Sequence, residues 1–359
     1  MKKMFLALAA STAVLLAAGA ASAQDKMKVC FIYVGPIGDF GWSYQHHQGA
    51  LQMQKELGGE DKVEIAYLES VPEGADAERA IERFARSGCK IIFATSFGYM
   101  DAINAVAGKF PDVKFEHATG FKREHPNVST YNSKFHEGRY VQGVIAAKMS
   151  QKGVAGYIAS FPIPEVVMGI DAFMLGAQSV NPDFKLKIVW ANTWFDPGKE
   201  ADAAKVLIDQ GVDIITQHTD STAPMQVATE RGIKAFGQAS DMIKFGEKTQ
   251  LTSIVDEWGP YYTERVKALM DGSYKQIDIW GGMAEGHVVM APYTNMPDDV
   301  KAAAEEVQKK ITDKTFNPFT GPVAKQDGSE WLKAGQVAPD GELLGLNFYV
   351  KGVEGDLPK

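Results

Sequence analysis

The chain has 359 residues, a length that suggests two domains in a globular protein. Its hydrophobic fraction of 45% is ordinary for a chain with a well-packed core. The formal net charge of -8, without a cluster of lysine or arginine, argues against a protein that binds nucleic acid or anionic lipid.

The first residues have the pattern of an export signal. Two lysines precede an apolar stretch at 4–18, and Ala21-Ser22-Ala23 supplies the small-x-small pattern of a cleavage site. The stretch is short for a membrane anchor, and the first cysteine, Cys30, lies too far from the cleavage site to carry a lipid. We therefore predict a signal peptide over 1–23 and a mature chain that begins at Gln24, free in the periplasm and not lipidated.

Short apolar runs alternate with helical stretches along the rest of the chain. The runs are continuous rather than alternating, which is typical of strands buried on both faces of a parallel sheet. Helical spacing is clear at 75–87, which a glycine ends, and again at 300–311. This alternation predicts an α/β protein built from parallel sheets. The predicted strands are 29–34, 63–68, 91–94, 113–116, 154–159, 187–190, 214–216 and 251–255.

One pattern occurs in both halves of the chain. A helix ends at Gly88 and a strand follows, and a second helix ends at Gly211 and a strand follows. The repetition favours two similar lobes, each with an open parallel sheet. Ligands bind at the carboxyl ends of the strands in such sheets. Two lobes that face each other there enclose a cleft.

The two cysteines, Cys30 and Cys89, each stand at the start of an apolar run. They are either two small core residues or, in an oxidising compartment, a disulfide. If their strands are neighbours in a parallel sheet, both lie at the same strand end, and a bridge requires Cα atoms within about 7 Å.

The motifs of common exported enzymes are missing. The sequence has no G-x-S-x-G and no H-E-x-x-H. An S-x-x-K match at 87–90 lacks its companion motifs, and the glycines at 35–41 are spaced G-x-x-G-x-x-G rather than as in a dinucleotide loop. We therefore expect no catalytic residues, no metal and no cofactor.

The loops after the predicted strands combine aromatic rings with acids and amides. Such loops fit a cleft in which a flat ligand stacks between rings while carboxylates and amides contact its edges. The loops are 38–44 (GDFGWSY), 95–101 (TSFGYMD), 192–196 (NTWFD), 217–221 (QHTDS) and 238–241 (QASD).

Five segments, in the same order, resemble motifs of the basic membrane protein family of ABC-transporter receptors, which includes purine nucleoside receptors of the PnrA type. The family's forms are D-x-S-F-N, G-F-x-x-x-D-A, E-G-x-Y-L-A-G, I-P-x-V-x-x-F-x-x-G-F-x-x-G and S-F-x-D-P-x-K. The matching segments are 39–43 (DFGWS), 96–102 (SFGYMDA), 137–143 (EGRYVQG), 163–176 (IPEVVMGIDAFMLG) and 193–199 (TWFDPGK).

The resemblance implies a type I periplasmic-binding fold, with two doubly wound parallel-sheet lobes joined by a three-strand hinge. We expect lobe one to comprise 24–150 plus 253–280 and lobe two to comprise 151–252 plus 281–359. It also implies a purine stacked between one aromatic ring from each lobe, with carboxylates facing the ligand. The expected ligand-binding residues are Asp39, Trp42, Ser43, Phe97, Trp194, Gln217, His218, Asp241 and Asp256.

Two departures from the family pattern concern the ligand. The family's nucleoside binders have a lysine shortly after a Thr-Ser strand, where this chain has Asp256, and both stacking positions, Trp42 and Trp194, hold tryptophan rather than phenylalanine. A lost ribose contact and larger rings favour a bare nucleobase over a nucleoside. We thus expect a monomeric periplasmic receptor of an ABC importer that passes a purine to a membrane permease. A receptor for another flat heterocycle, such as a flavin, and a sensory receptor remain alternatives.

Overall fold

The computed structural model describes residues 26–358. The predicted signal peptide and its cleavage site lie outside these residues. Within them, no helix is long and apolar enough to cross a lipid bilayer.

Fifteen strands and ten α-helices are present in the described residues. The strands are β1 (Met27–Tyr33), β2 (Val63–Leu68), β3 (Ile91–Thr95), β4 (Lys114–Ala118), β5 (Val128–Ser133), β6 (Val154–Ala159), β7 (Lys185–Trp190), β8 (Ile214–Gln217), β9 (Lys234–Gly237), β10 (Gln250–Asp256), β11 (Asp278–Gly281), β12 (Val288–Met290), β13 (Val323–Ala324), β14 (Glu330–Leu332) and β15 (Val353–Glu354). The helices are α1 (Trp42–Glu56), α2 (Ala75–Arg86), α3 (Met100–Ala107), α4 (Phe135–Met149), α5 (Pro164–Gln178), α6 (Pro197–Asp209), α7 (Ala223–Glu230), α8 (Gly259–Met270), α9 (Asp298–Thr312) and α10 (Asp340–Leu343).

Most strands form two sheets, one per lobe. The first has six strands in the order β11-β5-β4-β3-β1-β2, and every pair in it is parallel. The second has seven strands in the order β12-β10-β9-β8-β6-β7-β15, and only β12 runs antiparallel to its neighbour. The strand orders reverse direction beside β1 and β6, the doubly wound arrangement that places a ligand site at the carboxyl ends of the strands.

Of the two alternatives left open for the cysteines, the structure shows the disulfide. Cys30 in β1 is bonded to Cys89, which directly precedes the β3 region, and their Cα atoms are 6.0 Å apart. Strands β1 and β3 are parallel neighbours, with Cys30 in register with Ile92. The bridge therefore joins the middle of β1 to the segment that leads into β3, inside the core.

Helices α4 and α5 pack against each other at close range. A Cβ atom at Gly143 would lie 2.0 Å from the carbonyl oxygen of Phe173, and one at Gly176 would lie 2.1 Å from that of Tyr140. Only glycine fits at these two positions, because the opposing element there is backbone that cannot move aside.

The chain crosses between the sheets three times: after β5, after β10 and after β11. The lobe boundaries expected at 150 and at 252 differ from this arrangement. Helix α4 packs on α5 and α9, which places it with the second sheet, and β10 pairs in the second sheet up to Asp256. Eleven of the fifteen residues of α4 are buried, so no single apolar face in the sequence indicates which sheet the helix covers.

The C-terminal segment after α9 folds back along the second lobe. It contains the β13–β14 hairpin and α10, and it ends with β15, which pairs with β7 and forms one edge of the second sheet. An ion pair of 3.2 Å between Lys134 and Asp340 connects α10 to the start of α4.

Candidate functional site

A small cavity lies where the carboxyl ends of the two sheets face each other. Its volume is about 30 Å³, room for only two or three waters, so a larger ligand enters only as the lobes part. The cavity is lined by Val34, Trp42, Ser96, Phe97, Thr119, Glu165, Trp194, His218, Asp220 and Gln238.

Trp42 is the lining ring from the first lobe, at the first residue of α1. Its indole N–H donates to the carbonyl oxygen of Thr95, at 2.7 Å. The ring also meets His46 and Trp258 edge to face, with centroids 4.3 and 5.5 Å apart. These contacts hold the indole in one orientation before any ligand arrives.

Trp194 is the lining ring from the second lobe, in the loop after β7. It meets Phe161 edge to face at 5.1 Å, and its indole nitrogen has no hydrogen-bond partner among the described residues. The loop itself is held by the backbone N–H of Asp220, which donates to the carbonyl oxygen of Trp194 at 2.9 Å. Trp194 is therefore less tightly packed than Trp42, with a free donor at its ring.

Asp39 does not line this cavity. Its carboxylate accepts the backbone N–H groups of Gly41, Ser43 and Tyr44 at 2.8 to 3.0 Å, so it caps the first turn of α1. Burial raises the pKa of Asp39 to about 6, although these three N–H groups act to lower it. The first lobe thus uses Asp39 to hold the turn that presents Trp42.

Asp220, which belongs to the second lobe, packs against this turn of the first lobe. A Cβ atom at Gly41 would lie 2.4 Å from the backbone oxygen of Asp220, so the glycine permits the close approach of the two lobes. Burial, and then the charges of Asp39 and Glu200, raise the pKa of Asp220 well above its usual value, and the backbone N–H of Trp42 opposes them.

The raised pKa values of Asp39 and Asp220 predict a pH effect on the ligand-free protein. A carboxyl group whose pKa is higher in the folded state stabilises the fold at low pH, and that contribution is lost as the pH rises through the folded pKa. We expect the free energy of unfolding to fall between about pH 4 and pH 7. Asp220→Asn should reduce this fall, because one of the two carboxyl groups with a raised pKa no longer titrates.

The same substitution should weaken ligand binding about tenfold, since an amide is a poorer acceptor than a carboxylate. Urea unfolding across this pH range and calorimetric titration measure the two effects. Asp241→Asn is the matched control, because Asp241 is exposed and outside the cavity lining. Equal behaviour of the two variants would contradict the assignment of Asp220 to the site.

A buried polar group lies behind the second-lobe wall of the cavity. Arg139 is fully buried and donates to the side-chain oxygens of Gln142 and Thr216, at 3.1 and 3.0 Å, and to that of Gln238. Because a guanidinium only donates, the Gln238 oxygen must face Arg139. The Gln238 amide NH₂ is therefore the group left to meet a ligand.

Glu165 and His218 form the acidic part of this wall. The His218 Nε2 lies 3.7 Å from one Glu165 oxygen, and the other Glu165 oxygen has no hydrogen-bond partner among the described residues. Burial lowers the pKa of His218, so its ring is neutral near pH 7. The wall thus presents a carboxylate acceptor to the cavity.

Among the nine residues expected from the sequence, four line this cavity: Trp42, Phe97, Trp194 and His218. Ser43 is buried and accepts the backbone N–H of Gly35 at 3.0 Å. Gln217 donates to the carbonyl oxygens of Thr219 and Ser221. These two side chains stabilise the loops and do not line the cavity.

The two other carboxylates expected to bind the ligand, those of Asp241 and Asp256, do not line the cavity either. Asp241 is exposed and accepts from the Ile243 backbone and the Gln250 side chain, at 3.1 and 2.7 Å. Asp256 is fully buried, and neither of its carboxylate oxygens has a hydrogen-bond partner among the described residues. Burial raises its pKa well above the usual value, while Arg139 lowers it.

Six residues that line the cavity were not predicted from the sequence to bind the ligand. Ser96, Asp220 and Gln238 stand in the polar loops that the sequence analysis identified, and Glu165 stands in one of the five family-like segments. Each could have been chosen by taking every polar residue of those segments. Val34 and Thr119 carry no such signal.

Within the described residues, no group of three or more histidine, cysteine, aspartate or glutamate side chains could hold a metal ion.

The sequence matches the family model of PnrA-like ABC transporter substrate-binding proteins over residues 26–320. It is 67% identical to the purine-binding protein of Brucella abortus (strain 2308) over 98% of this chain and 99% of the relative. It is 34% identical to a protein of Haloferax volcanii named as a candidate glucose-binding protein of an ABC transporter, over 95% and 83% of the two chains.

Solved structures confirm the fold. A solute-binding protein of an ABC transporter from Aeropyrum pernix K1 superposes with a TM-score of 0.72 at 20% identity, covering 81% of this chain and 92% of its own. This likeness confirms the α/β class and the type I periplasmic-binding fold expected from the sequence.

Proposed function

Because the chain belongs to the PnrA-like family of ABC transporter substrate-binding proteins, we propose that it is the periplasmic receptor of an ABC importer for a purine, with the free nucleobase favoured over the nucleoside. In this proposal the mature chain is a monomer without a lipid anchor. It binds its ligand between the lobes and delivers it to a membrane permease. The family is one of receptors and not of enzymes.

One observation carries the choice of a flat ligand: Trp42, at the start of α1, and Trp194, in a loop of the other lobe, line the same narrow cavity. Two indoles that approach from opposite lobes suit a planar ring that stacks on both. Glucose lacks a planar ring and fits such a cavity less well. The identity of 67% to a purine-binding protein supports a purine as that planar ring.

The polar groups of the cavity match the edges of a purine. The carboxylates of Glu165 and Asp220 can accept ligand N–H groups, while the Gln238 amide and the Trp194 indole can donate to ring nitrogens or a carbonyl. Every purine base carries both N–H donors and ring acceptors. The preference for a bare base rests on Asp256, which stands where the family's nucleoside binders have a lysine.

Calorimetric titration with a panel of ligands tests the proposal. The protein is first unfolded and refolded to remove any ligand carried from the cell. The panel comprises adenine, hypoxanthine and guanine, their nucleosides, riboflavin and glucose. We expect at least one base to bind at least tenfold more tightly than its nucleoside.

Tighter binding of riboflavin or glucose than of every purine would contradict the purine assignment. Tighter binding of a nucleoside than of its base would contradict the nucleobase preference alone. Incubation with nucleosides should release no free base, as expected of a receptor. Cells lacking the gene should lose uptake of the bound base, whereas a purely sensory receptor would leave uptake intact.

A further inference from the structure

A second, larger cavity adjoins the first. Its volume is about 510 Å³, within the range of small-molecule sites. Phe97, Thr119 and Glu165 line both cavities, so the two share a wall. The other lining residues include Phe121, Phe135, Met168, Ile279, Trp280 and Leu344.

Carbon atoms dominate the walls of this second cavity. Its two surface acids are already paired: Asp278 with Arg123 at 2.9 Å, and Asp340 with Lys134 at 3.2 Å. The Lys134 ammonium also lies 4.9 Å from the centre of the Trp280 ring. These charged groups lie at the rim and already have partners. The space between them is bounded by aromatic and aliphatic side chains.

Two polar atoms of the walls have no hydrogen-bond partner among the described residues. They are the Ser133 hydroxyl, on a side chain only 2% exposed, and one Glu165 oxygen. Asn132 and His136 also line the cavity, so these two atoms are not its only polar groups. Aromatic and aliphatic side chains still form most of the lining, which suits an apolar group.

An exposed aromatic ring stands where this cavity meets the solvent. Phe121 is 63% exposed, and its ring centre lies 6.4 Å from that of Phe97, which lines both cavities. Phe121 therefore extends the aromatic lining of the cavity to the solvent. Four further lining residues lie beyond residues 26–320 that match the family model: Asp340, Gly341, Leu344 and Gly345.

We propose that the second cavity binds an apolar or aromatic substituent carried by a purine whose base occupies the first cavity. The ligands of this receptor then include purines substituted with a hydrocarbon or aryl group. This inference rests on the proposed purine function for the base itself. Burial of the substituent among the aromatic walls supplies the added affinity.

Calorimetric titration of the refolded full mature chain with adenine, N6-benzyladenine, 9-benzyladenine and adenosine tests the inference. We expect at least one benzyl derivative to bind at least tenfold more tightly than adenine. If adenine binds and both benzyl derivatives bind more weakly, the inference is wrong and the purine function stands. If adenosine exceeds both, the cavity takes a sugar and the inference is wrong. If no purine binds, the proposed function itself fails.

A substitution that fills the second cavity provides the structural control. Gly345 lines the cavity, and a Cβ atom there would meet only two carbonyl oxygens, at 3.8 and 4.0 Å. Gly345→Trp should remove the tenfold gain of the benzyl derivative and leave adenine binding unchanged. Gly345→Ala, the matched control, should keep the gain. An unchanged gain in Gly345→Trp would place the substituent elsewhere and overturn the inference.

Discussion

Replacing Trp194 by alanine should weaken ligand binding on the order of a hundredfold, or about 2.7 kcal/mol. The indole lines the cavity and, in the proposed complex, stacks on one face of the purine. Stacking is worth about 0.5–1.5 kcal/mol beyond area burial, and the lost apolar contact adds about 25 cal/mol per Å². Calorimetric titration measures the loss.

Trp42→Ala should weaken binding by a similar factor and also destabilise the ligand-free protein. Unlike Trp194, the Trp42 ring packs on His46 and Trp258 and donates to the Thr95 carbonyl oxygen. The midpoint of thermal unfolding should therefore fall clearly in Trp42→Ala and little in Trp194→Ala. The sequence alone does not predict this difference, because both tryptophans stand in similar segments after predicted strands. The difference follows from the contacts that each ring makes in the structure.

Trp331→Ala is the control for both variants. Trp331 packs on Phe319 and Phe348 in the C-terminal segment, away from the cavity. It should lower stability without changing affinity. Normal ligand affinity in both Trp42→Ala and Trp194→Ala would refute the stacked arrangement.

Removing the disulfide should lower the free energy of unfolding by about 4 kcal/mol. The bridge joins residues 59 apart, and closing a loop of that length restricts the unfolded chain by about this amount. The double variant Cys30→Ala and Cys89→Ala tests the prediction by urea unfolding. Both side chains are almost fully buried, so alanine leaves no unpaired polar group in the core.

Ligand binding should survive in this double variant at low temperature. Cys30 lies at the middle of β1 and Cys89 lies before β3, whereas the cavity lies beyond the carboxyl ends of these strands. Reducing agent supplies the control: it should destabilise the native chain during unfolding and have no effect on the variant. A native chain that yields two free thiols when unfolded without reductant would contradict the bridge.

The sequence determined the α/β class because buried parallel strands need long apolar runs. The predicted strands 63–68 and 154–159 coincide with β2 and β6. Strand β5 was missed because its residues Ser129 and Thr130 are polar although fully buried. Both hydroxyls have partners that are distant in the sequence, Arg265 for Ser129 and Asp278 for Thr130, which no local pattern reveals.

The sequence also located the loops of the site, because aromatic and acidic residues cluster after the strands. It could not assign a role to each carboxylate in those loops. Asp39, expected to face the ligand, caps α1, and Asp220 lines the cavity instead. Whether a carboxylate is used by its own backbone or left free for a ligand depends on the path of the loop.

Only the tertiary structure decided which lobe each element joins and how the cavities are bounded. Helix α4 is buried on most sides, so its sequence does not show that it packs on α5 rather than on the first sheet. The second cavity combines residues as distant as Phe121 and Leu344, from the first lobe and the C-terminal segment. A local pattern of hydrophobicity encodes how one element packs, but such a cavity exists only where distant segments of the chain meet.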